Sequence, residues 1–182
     1  MSEQWPKVIS RHSVTVSPWV DIVAREIEFS RGAPTETYHS VAQQDYLAIV
    51  ARTPTGQFPI VHQYRPALER FTWELPAGLA EPKEDLAEGC RRELLEETGY
   101  PARAIHALGT AVPCSGRLSN SIHSFFIETD ERVSDFVPEP GITVKLVTAT
   151  ELVAMIKSGE FVMQQHLGAL LLAELRSFIV LR

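Results

Sequence analysis

Apolar and polar residues alternate along residues 8 to 29, with Val14, Val16, Val20, Ile22, Ile27 and Phe29 at strand-like spacing before the turn-forming cluster Arg31-Gly32-Ala33-Pro34. This pattern predicts an N-terminal hairpin or small antiparallel sheet. A short apolar run from Tyr46 to Ala51, a Pro54-Thr55-Gly56 turn and a second run from Phe58 to Tyr64 predict two further strands, paired as a hairpin. Between Ala80 and Thr98 the period lengthens: Leu86, Cys90 and Leu94 recur every four residues with charges between them, and Gly99 and Pro101 follow as stop signals. One amphipathic helix of about four turns is expected there. Strand-like segments return at Ile105 to Val112, Ser121 to Glu128 and Ile142 to Val147, and helical patterns near Ala149 to Ser158 and Val162 to Leu181 close the chain.

Within the helical stretch Glu93, Glu96 and Glu97 stand at i, i+3 and i+4, which at about 100° per residue places all three on one helix face. Carboxylates so gathered repel one another and raise their apparent pKa values as a coupled set, a cost that a bound dication removes. Hard oxygen donors of this kind suit Mg²⁺ or Mn²⁺, which keep several waters and take further ligands from substrate phosphates. A solvated acidic face offset by Arg91 and Arg92 is the alternative reading of the same residues.

At 182 residues the chain has room for one main domain with a sizeable core, plus appendages. Its net charge of -6 and pI near 5.5 supply no basic footprint for a nucleic acid polymer. The two cysteines, Cys90 and Cys114, lack metal-ligand spacing and fit a reducing cytosol. No apolar run approaches the roughly 20 residues needed to cross a bilayer, and the polar start MSEQWPK lacks the apolar centre of a signal peptide, so a cytoplasmic protein without membrane attachment is expected.

From Gly78 the chain reads GLAEPKEDLAEGCRRELLEETGY, and this stretch resembles the signature of the Nudix hydrolases, with Gly78, Glu84, Arg92, Glu93, Leu94, Glu96, Glu97 and Gly99 at the signature spacing. Tyr100 stands where an aliphatic residue is usual. The resemblance implies a Nudix-type α/β/α sandwich with a mixed β-sheet: residues 41–182 would form the hydrolase domain and residues 1–40 an N-terminal β appendage for dimerisation and base binding. It also implies Glu93, Glu96 and Glu97 as metal ligands, the carbonyl of Ala77 as a further ligand, and Arg92 holding the helix acids in place. Glu84, nine residues before Glu93, is expected as a helix cap or as an acid acting on the metal through water.

The flanks QYRPALERFTWELPAG and SGRLSN resemble the ADP-ribose and nucleoside-diphosphate-sugar pyrophosphatase branch of that family. In that likeness Arg65 approaches the substrate diphosphate, a task suited to a guanidinium fork, Glu74 is an acid near the site, and Trp19 stacks on the base. Ser115 stands where the branch often has proline, and the later acidic loop keeps only Glu139, between Pro138 and Pro140. Glu139 is the candidate catalytic base, with Glu97 or Glu96 as the alternative; Glu93, Glu97 and Glu139 are the candidate catalytic residues.

The expected reaction is Mg²⁺-dependent hydrolysis of the diphosphate of ADP-ribose or a related nucleoside-diphosphate sugar, Mn²⁺ substituting, by a homodimer whose partner is a small nucleoside diphosphate derivative. GDP-mannose, a dinucleotide and a nucleoside triphosphate are the competing substrates, because the acid motif reads only the diphosphate and the metal. A silent nucleotide-sugar sensing module is the rival from another class, and it would break the acid set, which here is intact.

Overall fold

In a computed structural model, which describes residues 4–182, the N-terminal alternation becomes three antiparallel strands in the order β1 (Lys7–Ser17), β2 (Val20–Glu28) and β3 (Glu36–Ala42). Residues 1–3 of the expected appendage lie outside the described residues. The segment Val112–Ser121, which carries the SGRLSN loop, joins this sheet: Val41 N–H donates to the Arg117 carbonyl at 2.8 Å and Ser119 N–H to the Val41 carbonyl at 3.1 Å. The chain up to Gln44 and this segment make one compact unit; Asp45–Ala111 with Ile122–Arg182 make a second.

The second unit contains β4 (Tyr46–Arg52), β5 (Phe58–Arg65), β6 (Arg70–Glu74), β7 (Ala77–Leu79), α1 (Leu86–Thr98), β8 (Ala102–Ala111), β9 (Ile122–Thr129), β10 (Thr143–Val147), α2 (Ala149–Ser158) and α3 (Gln164–Leu175). Its four-stranded sheet runs β7-β4-β9-β8, with β4 and β9 parallel and the other pairs antiparallel, and a smaller antiparallel sheet runs β10-β5-β6. Strand β4 explains the layering. Its residues from Leu47 to Ala51 are all buried, and alternate side chains enter opposite cores. Leu47, Ile49 and Ala51 pack with Cys90 and Leu94 of α1 and with Phe125 and Ile127 of β9. Ala48 and Val50 face the other way, into a core with Phe58, Phe126, Leu152 of α2 and Leu170 of α3. The result is the expected α/β/α sandwich around a mixed sheet, with a small antiparallel sheet in the N-terminal part of the chain.

Leu94 and Cys90 are buried as the four-residue period predicts, and Leu86 packs beside them. Burial pushes the Cys90 thiol up to about 12, so this cysteine behaves as an apolar side chain.

Three local expectations are corrected. First, β4 and β5 do not pair with each other, although a tight turn joins them, with Gly56 N–H on the Thr53 carbonyl and Thr53 N–H on that of Gln57. Both edges of β4 are already taken by β7 and β9, so β5 finds its partners in β6 and β10. Second, α1 begins at Leu86 rather than near Ala80, because Pro82 and the left-handed Lys83 (φ 71°) make a turn and Asp85 caps the helix by accepting from the N–H groups of Ala87 and Glu88. Glu84 is therefore not the cap. Third, α3 stops at Leu175, where the expected pattern ran on to Leu181; Ser177 adopts φ 62° and turns the chain. Among the described residues no helix is long and apolar enough to cross a membrane.

Candidate active site

The acids of α1 meet the short strand β7, which lies against β4 in the register Leu47 to Gly78. Glu97 is 7% exposed and its Oε2 accepts the Ala77 N–H at 3.0 Å. The Glu93 carboxylate lies directly over Gly78, in the space that a Cβ at that position would occupy. Glycine is required there for close approach rather than for an unusual φ. Glu96, on the more exposed side of the same face, is reached by Arg92 Nη1 at 3.2 Å.

Arg92 is the hub of the cluster. It grips Glu84 with Nε and Nη2, both at 3.1 Å, and reaches Glu93 with Nη1 at 2.7 Å. Glu84 thus orients the arginine that orients the acids, and its Arg92 hydrogen bonds hold it below the usual carboxylate range. Glu84 also bounds Gly89: a Cβ there would crowd the Glu84 carboxylate and Leu47.

Burial pushes the Glu97 carboxyl up to about 8, against the opposing Ala77 hydrogen bond and with the Glu93 charge adding to the rise. Glu93 is also raised, by burial first, with Arg92 opposing and the charges of Glu96 and Glu84 adding. Loss of hydration therefore outranks mutual repulsion as the cause of the raised values, a point that spacing on a helix does not reveal.

These residues fit a hard divalent ion. The donor set is carboxylate and carbonyl oxygen, two of its members bind protons too tightly for isolated carboxylates, and the glycine at position 78 is needed to admit Glu93. As the side chains stand, no three His, Cys, Asp or Glu among the described residues converge on a single point, because Arg92 draws Glu93 and Glu96 toward itself and Ala77 holds Glu97.

The Glu97 proton is held more tightly in the folded chain than at the ordinary value of 4.5, which gives stability a definite dependence on pH. Its stabilising contribution is complete below about pH 4.5 and is lost as pH rises through about 8, amounting to a few kcal/mol at most. In the presence of a chelator the melting temperature should fall from pH 5 to pH 9, and Glu97→Gln should flatten that fall. An equally steep fall in the variant would remove Glu97 as its cause.

Beside the acids lies a cavity of about 270 Å³, at the small end of the range for ligand pockets, bounded by Tyr46, Arg65, Ala77, Gly78, Met163 and His166 among others. The backbone that carries Glu97 and Glu93 on one side thus lines the cavity on the other. Arg65, at the end of β5, is aimed by Glu74 of β6: its Nε and Nη2 both donate to that carboxylate, and Thr72 Oγ1 donates to it as well. Burial alone would raise the fully buried Glu74, but the hydrogen bonds from Arg65 and Thr72 outweigh it and hold the carboxyl low. Arg65 keeps about a third of its side chain exposed, and its Nη1 has no partner among the described residues.

Of the predicted site residues, Glu97 meets the Ala77 N–H, Glu93 lies over Gly78, Glu96 stays on the more exposed side with Arg92, and Arg65 stands with its buried support Glu74 at the adjoining cavity. Glu139 is exposed on the loop before β10, and among the described residues its hydrogen-bond partner is Ile142, whose N–H donates to the Glu139 backbone carbonyl at 3.0 Å. Trp19 is 63% exposed at the β1–β2 turn and lines a groove with Pro18, Asp21 and Gln43, all in the other compact unit.

Three residues near the site carry no motif. Arg132 donates Nε to the Thr98 carbonyl, and Phe136 lies on Gly99, where a Cβ would overlap its ring. Together they dock the loop bearing Glu139 onto the C-terminal end of α1. Gly99 itself adopts φ 75°, so the one glycine both ends the helix and admits the loop. The third is His166 at the start of α3, whose burial pushes its imidazole down to about 4. The only trace of these contacts in the chain is a glycine already explained as a helix stop.

The family model of the NUDIX domain matches residues 43–165, two thirds of the chain. The chain belongs to the Nudix family. It is therefore a hydrolase acting on pyrophosphate bonds, and Nudix hydrolases generally use divalent metal ions. This Nudix chain is 26% identical to the ADP-ribose pyrophosphatase of Bacillus subtilis (strain 168) over 157 residues, covering 85% of this chain and 84% of that one. It is 32% identical to the GDP-mannose pyrophosphatase of Yersinia enterocolitica serotype O:8 / biotype 1B over 117 residues, covering 58% and 60% respectively. A solved structure described as an ADP compounds hydrolase superposes with a TM-score of 0.79 at 19% identity, covering 96% of this chain and 95% of the other, and shares the fold.

Proposed function

We propose that this Nudix hydrolase cleaves the diphosphate of ADP-ribose or a related nucleoside-diphosphate sugar, releasing a nucleoside monophosphate and a sugar phosphate. The observation that carries this reading is Arg65, locked by the buried Glu74 with Nη1 left over, at a cavity whose wall is the Ala77–Gly78 backbone bearing Glu97 and Glu93. The likeness to an ADP-ribose pyrophosphatase over most of both chains supports the choice of sugar nucleotide.

In this reading Glu93, Glu96, Glu97 and the Ala77 carbonyl hold Mg²⁺, with Mn²⁺ as a substitute. The ion's chemistry there is to neutralise charge on the diphosphate oxygens and make a water more nucleophilic. Arg65 binds the diphosphate through its free N–H groups and holds it in line, while Glu74 acts through Arg65 by fixing the plane of the guanidinium. Glu84 fixes Arg92, whose guanidinium holds Glu93 and Glu96 in place beside it. Glu139, on the loop that Phe136 and Arg132 dock against the end of α1, takes the proton from the attacking water. Trp19 stacks on the base.

The test is phosphate release in a coupled phosphatase assay with Mg²⁺, comparing ADP-ribose, GDP-mannose, ADP-glucose, a dinucleotide and ATP. Highest kcat/KM on ADP-ribose or ADP-glucose is expected. A clear preference for GDP-mannose or ATP would keep the site and replace the substrate.

A further inference from the structure

His166 is 1% exposed at the first turn of α3, and its Nδ1 accepts the Leu75 N–H at 3.1 Å. A neutral imidazole with Nδ1 as acceptor carries its proton on Nε2, so the backbone of Leu75 fixes the tautomer. Among the described residues no hydrogen-bond partner takes that Nε2–H. The buried side-chain polar atom without a partner is instead Gln63 Nε2, so Nε2 of His166 keeps contact with open space. His166 is one of the residues that line the cavity, with Arg65, Ala77 and Gly78.

We propose that His166 donates its Nε2–H to a phosphate oxygen of the substrate diphosphate held by Arg65. The inference rests on the diphosphate reading given above. An uncharged donor suits this position. Arg65 already supplies the cation, and a second one beside the Ala77–Gly78 backbone would compete with the ion that the carboxylates hold. Burial favours the neutral ring and Leu75 prevents it from turning, so the donor is present over the whole working pH range. The hydrogen bond from Leu75, two residues before Ala77, also ties α3 to the segment that supports Glu97.

Two substitutions separate the two ends of the ring. In His166→Asn the side-chain carbonyl replaces Nδ1 and can still accept from Leu75, but nothing reaches the cavity. In His166→Gln the longer amide places a donor where Nε2 stood and leaves Leu75 N–H without its acceptor. Steady-state kinetics are measured on the best substrate of the five-member panel, together with thermal melting. His166→Asn should lower kcat/KM by about ten- to a hundredfold, the usual effect of losing one hydrogen bond to a charged group, with a melting temperature near that of the parent. His166→Gln should keep kcat/KM within a few-fold while melting lower, and the activity ratio of parent to His166→Asn should stay constant from pH 6 to 9. Full activity of His166→Asn, or losses that track the melting temperature in both variants, would overturn the assignment. A parent enzyme inactive on all five compounds would overturn the diphosphate reading and this inference with it.

Discussion

Replacing Glu97 with glutamine should lower kcat by about a thousandfold while making the metal-free protein more stable at alkaline pH. The two effects have one cause. The amide oxygen of the substituted side chain can still accept the Ala77 N–H that Glu97 now holds at 3.0 Å, so the junction of α1 with β7 survives. The charge is lost, and with it the carboxylate oxygen that in the proposed mechanism holds the ion, an effect of the size seen when general catalysis or charge stabilisation is removed. In the chelated parent at pH 9 the carboxylate is forced to ionise in a buried position, against a preference shifted up to about 8, and that cost disappears in the variant. Activity and melting temperature measured on one preparation decide the matter. Activity near that of the parent would remove Glu97 from the reaction, whereas lost activity with lost stability would mark it as a structural residue.

Gly78→Ala is expected to lower kcat/KM by about a hundredfold with little change in secondary structure. An added methyl group at this position would overlap the Glu93 carboxylate. Strand β7 cannot yield easily, because Gly78 is paired with Leu47 in the buried stretch of β4, so Glu93 must move. Displacing a reacting group by about 1 Å costs on the order of a hundredfold in rate. The mechanism is checked with a double-mutant cycle. If the methyl acts through Glu93, adding Gly78→Ala to Glu93→Ala should cost almost nothing more, because the two sites are in contact and their effects do not add. Additive losses would mean that Gly78 serves the site in some other way.

Several elements could be read from the chain because a local physical cause produces them. Cys90 and Leu94 are buried since a four-residue period puts them on one helix face, and Gly99 ends α1 since only a left-handed residue closes that turn. Arg92 reaches Glu96 because neighbouring turns of a helix bring residues i and i+4 into contact, and Glu93 is its neighbour in the chain. The start of α1 was less legible: Glu84 and Asp85 are adjacent acids, and which one caps the helix depends on the turn made by Pro82 and Lys83. Pairing of β4 with β5 was mispredicted for a different reason. A short turn favours a hairpin locally, but β7 and β9 compete for the same edges of β4, and that competition is set by strands distant in the chain.

The family is legible in the chain, because eight positions of α1 and its flanks keep the signature spacing, and carboxylates at i, i+3 and i+4, which share a face in any α-helix, point from the chain alone to candidate ligands for an ion. What those residues feel and what else they meet follow from the folded arrangement. The raised carboxyls of Glu97 and Glu93 come from burial against β7, the aim of Arg65 comes from Glu74 on the neighbouring strand, and His166 reaches the cavity from a helix 91 residues beyond Leu75. Hydration and long-range hydrogen bonding depend on which segments fold together, and no local spacing encodes that.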